Sequence, residues 1–80
     1  MSIVANISID FDSTKNEIHL LGDIAALQKN RFAWRYVRDY LRPRIIGDQL
    51  IIPIEDDEPF SVMSNISAML RKYGFIEVQS

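Results

Sequence analysis

The chain has 80 residues, 48% hydrophobic and 25% charged, with nine basic and eleven acidic side chains for a net charge of -2. That is ordinary globular usage, which argues against disorder; a chain this short forms one thin core with little room for a deep catalytic cleft, so a single small domain over 1–80 is expected. The absence of cysteine excludes disulfides, a thiolate nucleophile and a thiolate zinc site.

No stretch reaches the ~18 apolar residues that would span a bilayer. Met1 to Asp12 alternates rather than running apolar and carries no Lys or Arg, unlike a signal peptide. A cytoplasmic location (nuclear in a eukaryote) with no membrane partner is therefore expected. Glu77-Val78-Gln79-Ser80 follows directly on an apolar run, an ending compatible with a domain excised from a longer protein.

The first element is a strand. Ile3, Ala5, Ile7, Ile9 and Phe11 alternate with Asn6, Ser8, Asp10 and Asp12, the period of two that gives one buried and one wet face. Ser13-Thr14-Lys15-Asn16 reads as a loop, and Glu17 to Leu21 as the second strand of an antiparallel hairpin, with Ile18 and Leu20 inward. Gly22-Asp23 closes this unit, with Asp23 as the expected N-cap.

The stretch Ile24 to Arg42 does not phase as one helix. At 100° per residue, Ile24 and Leu27 fall opposite the sector of Phe32, Ala33, Trp34, Tyr36, Val37, Tyr40 and Leu41, and Lys29 falls inside it. The phase predicts a short helical turn at 24–28, a break near Asn30 and a main helix over 30–42, stopped by Pro43. Arg44-Ile45-Ile46, Gly47-Asp48 and Gln49-Leu50-Ile51-Ile52 form a hairpin pattern with a two-residue II′ or I′ turn. Pro53 cannot donate to a ladder, which places that strand's end at an edge or bulge. Glu55-Asp56-Asp57-Glu58-Pro59 opens a second helix whose inward stripe is Val62, Met63, Ile66, Met69, Leu70 and Tyr73. Arg71 and Lys72 complete it, Gly74 stops it, and Phe75 to Val78 is a last strand. The order β-β-α-β-β-α-β predicts an α+β fold: a two-layer sandwich with both helices on one face of a mixed sheet.

Charge distribution is the most informative functional feature. Six of the nine basic residues lie between 29 and 44: Lys29, Arg31, Arg35, Arg38, Arg42 and Arg44, opposed there only by Asp39. On a regular helix Arg31, Arg35, Arg38 and Arg42 share a stripe about 60° wide and about 16 Å long. Guanidinium groups match phosphate oxygens bidentately and stay charged, and Trp34 beside the stripe is placed to stack on a base. The same stripe also suits a solvated helix face or an acidic protein partner.

Other constellations are weaker. The acidic run after Leu50-Ile51-Ile52-Pro53-Ile54 looks like the end of a nucleotide-hydrolase strand, but no phosphate-binding glycine loop accompanies it; helix N-terminal carboxylates outweigh a divalent-cation site. His19 falls on the wet face beside Asp10 or Asp12, with no nucleophile in a recognisable elbow. The pairs Tyr36/Tyr40 and Met63/Met69 read as core. A non-catalytic module without cofactor or metal is expected.

Tyr36-Val37-Arg38-Asp39-Tyr40-Leu41, a short hairpin ending Leu50-Ile51-Ile52-Pro53, and a helix ending Leu70-Arg71-Lys72-Tyr73-Gly74-Phe75 together resemble small accessory domains that precede the motor in superfamily 2 helicases and Swi/Snf-type translocases. The resemblance covers residues 30–78; Gln49-Leu50 stands where those domains commonly carry Trp. It implies a non-catalytic domain that helps an ATP-dependent motor engage DNA. The expected partners are a DNA or RNA backbone, and the motor domain of a parent protein or another copy of the chain. The alternative from a different class is a protein-interaction or dimerisation module using sheet edges and the acidic and basic patches.

Overall fold

A computed structural model describes residues 5–55 and 58–78. The alternating segment forms β1 (Asn6–Asp12), which pairs antiparallel with β2 (Glu17–Gly22). Ile9 lies opposite Leu20 and Phe11 opposite Ile18, so the apolar members of both strands share a face. Ile3, which would begin the alternation, lies outside the described residues. In the connecting loop, Asp12 Oδ1 accepts from the Thr14 hydroxyl at 2.6 Å and from the N–H groups of Thr14 and Lys15 at 3.0 and 3.3 Å. These donors, the Thr14 hydroxyl foremost, hold the Asp12 carboxyl below its ordinary range.

Three more strands complete one mixed sheet: β3 (Arg44–Ile46), β4 (Gln49–Pro53) and β5 (Ile76–Val78), in the order β3-β4-β2-β1-β5. β5 runs parallel to β1; the other pairings are antiparallel. Gly47 has φ 57, and the only non-glycine residues with positive φ among those described are Asn16 and Arg42. Asp48 therefore has negative φ, which makes the Gly47-Asp48 turn type II′. Pro53 sits on an internal strand, not an edge strand. It is tolerated because β3 stops pairing at Ile51, so no β3 residue faces the missing N–H.

The helical stretch divides where the phase predicts. α1 (Ile24–Lys29) buries Ile24 and Leu27 and ends at Asn30. Asn30 then caps α2 (Arg31–Tyr36), its side-chain oxygen accepting from Ala33 N–H at 3.1 Å. Asp23 occupies the N-cap position of α1 but does not cap it with its side chain. Its carboxylate instead accepts from Asn6 N–H at 2.8 Å, while its own N–H donates to the Asn6 carbonyl at 2.9 Å. That reciprocal pair fastens the start of β1 to the start of α1.

The expected regular helix over 30–42 is not regular. Beyond Tyr36 the chain widens into a π-helical segment, Val37–Leu41, closed by an i→i+5 bond from Arg42 N–H to the Val37 carbonyl at 3.0 Å. Pro43 crowds a right-handed conformation at the preceding residue, and Arg42 leaves the helix at φ 49, ψ 58. The wider turn brings Leu41 toward the core and throws Tyr40 outward, where it is 77% exposed rather than core. Phe32, also expected inward, is 65% exposed. It lies about 120° from the Ala33–Val37 line that is buried, whereas Trp34 and Tyr36 lie about 80° from it and pack partly against the core.

α3 (Pro59–Lys72) starts with Pro at its first turn and ends in a Schellman motif. Gly74 takes φ 84, its N–H donates to the Arg71 carbonyl at 3.2 Å, and Phe75 N–H donates to the Leu70 carbonyl at 2.8 Å. Of the predicted stripe, Ile66, Met69 and Leu70 are buried, with Val62, Met63 and Tyr73 packed partly against them. One continuous core joins Ile7, Ile18, Leu20, Leu50 and Ile52 of the sheet to Ile24, Leu27, Ala33, Val37, Ile66, Leu70 and Phe75. The chain is thus α+β, a five-stranded mixed sheet with three α-helices. Among the described residues no helix is long and apolar enough to cross a membrane.

Glu58 caps α3, its carboxylate accepting from Ser61 N–H at 2.8 Å and Phe60 N–H at 3.2 Å. These bonds, Ser61 first, lower its pKa. A depressed carboxylate stabilises the fold above the ordinary carboxylate pKa, and that stabilisation is lost as pH falls through the folded-state value. Glu58→Gln should therefore lower Tm near neutral pH, and the gap to the natural protein should close in acid; a gap that persists in acid would show that the charge is not what caps the helix.

Candidate nucleic-acid interface

Asn30 sets the site. By ending α1 and starting α2 it folds the last turn of one helix against the first turn of the next. Lys29, Arg31, Trp34, Arg35 and Arg38 consequently line one open concavity of about 600 Å³, together with Gln28 and Asp39. Arg35 and Arg38 are 74% and 64% exposed. Both lean on Asp39 through Nε, at 3.9 Å for Arg35 and 3.2 Å for Arg38. So exposed an ion pair is worth only ~0–1 kcal/mol, little hindrance to a stronger anion. Lys29 and Arg31 have no carboxylate partner among the described residues. The sequence pattern missed Gln28, since only the break at Asn30 turns it toward α2.

Two expected members of the patch lie elsewhere. Arg42 lines a neighbouring concavity with Asp39, Tyr40, Leu41, Pro53 and Glu55. The π turn carries it off the stripe that regular helical phase assigns to it. Arg44 is opposite Ile51, which is opposite His19, on the sheet face away from Ile18, Leu20 and Leu50. Its Nη2 donates to Glu17 Oε2 at 2.8 Å, and Glu17 Oε1 also meets His19 Nε2 at 3.3 Å. Register decides a strand residue's face, and here it separates Arg44 from the α2 cations.

His19 lies opposite Asp10, as the alternation predicts, although the side chain it reaches is Glu17. Asp56 and Asp57 of the acidic run lie outside the described residues. Among the described residues, no group of three or more His, Asp or Glu side chains is placed to hold a metal ion. Comparison with family models, with curated proteins and with solved structures returns no match.

Left-handed backbone at a non-glycine residue costs roughly 1–2 kcal/mol. Arg42→Gly should raise stability in urea unfolding by about 0.5–1 kcal/mol. Because Arg42 is outside the cation groove, an anion bound in that groove should be held by the same variant with nearly full affinity. A loss as large as that of a groove arginine would place Arg42 back in the groove.

Proposed function

We propose that the chain is a non-catalytic nucleic-acid-binding module, of the kind attached to an ATP-dependent helicase or translocase. Lys29, Arg31, Arg35 and Arg38 contact phosphates. The observation that carries this reading is that four cations converge on one groove in a chain whose net charge is negative. Overall attraction to polyanions is absent, so binding must come from local placement. Phosphate contacts of this kind position the module without reading sequence. The continuous core between sheet and helices supports a two-layer arrangement in which the helices cover one sheet face and present the groove outward. The test is titration of short DNA at low salt, followed by anisotropy; saturable binding is expected, and its absence removes the reading.

A second reading, a self-association module, is favoured by β3. It is an edge strand, and Ile45 and Ile46 are 54% and 55% exposed. Sedimentation separates the two: a mass that rises with concentration, with no DNA binding, would favour self-association.

A further inference from the structure

We infer that the groove takes single-stranded nucleic acid, with a base stacked on Trp34 between phosphates held by the flanking cations; this deepens the nucleic-acid reading above and rests on it. Trp34 is half-buried, packed along one side against the core and lining the cation groove with the other. An indole held in that way is a rigid platform that loses little freedom when a base lies on it. In a duplex the base faces are already stacked, and only their edges reach the grooves, where a protruding helix reads them. Here the cations do not stand on a ridge. They line a concavity that runs from Lys29 at the end of α1 through α2 to Arg38 in the π-helical segment. A concavity lined in this way seats one backbone whose unstacked bases turn toward the ring. Stacking accepts any base, so little sequence preference is expected.

Trp34 is the only tryptophan, so its emission reports this site alone. The natural protein would be titrated with a short oligothymidine and with a duplex of equal length at low salt, following both Trp34 emission and DNA anisotropy. Tighter binding of the single strand with quenching of Trp34 is expected. Trp34→Leu should weaken single-strand binding roughly ten-fold or more and duplex binding far less, while Trp34→Phe should keep most of the preference. Thermal unfolding of both variants separates a lost platform from a lost fold, and the emission of the natural protein decides the matter even if Trp34→Leu does not fold. Equal affinity for the two DNAs, or single-strand binding without any change in Trp34 emission, overturns this inference and leaves the phosphate contacts standing. No binding to either DNA overturns both.

Discussion

Arg35→Glu combined with Arg38→Glu should abolish nucleic-acid binding and leave the fold intact. Both side chains are well exposed, and their carboxylate contact is with Asp39. Reversing them turns the groove from a net three positive charges to a net one negative, since Lys29 and Arg31 then face three carboxylates. Two phosphate contacts disappear and two repulsions replace them, an effect of at least about a hundred-fold at low salt. Glu is as good a helix former as Arg, and surface changes of this kind usually stay within about 0.5 kcal/mol of neutral. Circular dichroism and thermal unfolding would confirm the fold. Affinity retained in a folded double variant would mean that Arg35 and Arg38 are merely a solvated face.

The largest effect on stability is expected at Gly22. It has φ 112, a conformation closed to L side chains, and a Cβ there would be driven into the Asn6 carbonyl. That carbonyl already accepts the Asp23 N–H, and the Asn6 N–H is held by the Asp23 carboxylate. Gly22→Ala therefore strains its own backbone and breaks the fastening between β1 and α1. A cost of about 2–4 kcal/mol is expected in urea unfolding. A domain of this size has only about 4–12 kcal/mol in total, so the variant should be partly unfolded at physiological temperature. A loss below about 0.5 kcal/mol would show that the β1 end can shift aside freely.

Elements defined by local chemistry were legible in the sequence. Period-two alternation located β1, Gly47-Asp48 located the second hairpin, and the phase conflict between Leu27 and Lys29 located the break at Asn30. Leu70 to Phe75 carried the helix stop in full, an apolar residue, two cations and a glycine followed by an aromatic. Features set by geometry across the fold were not legible. Helical phase at 100° per residue assumes a regular helix, and the π turn before Pro43 breaks that assumption for Tyr40 and Arg42. Proximity in the chain groups Arg44 with the helix cations, yet β-pairing puts it on the sheet face away from Ile18, Leu20 and Leu50. Asp23 stood at the right place for a cap, but the start of β1 competed for its carboxylate and won. Of the seven residues the sequence points to, Lys29, Arg31, Trp34, Arg35 and Arg38 line one groove, and Arg42 and Arg44, which follow the irregular turn, do not join them.

The most direct test of a phosphate grip by a few clustered cations is the affinity for a short single strand measured as salt is raised. Four contacts, from Lys29, Arg31, Arg35 and Arg38, predict that log affinity falls against log salt with a slope of about -2.8, or about -3.6 on duplex. A slope near zero, or no saturable binding at low salt, would contradict it.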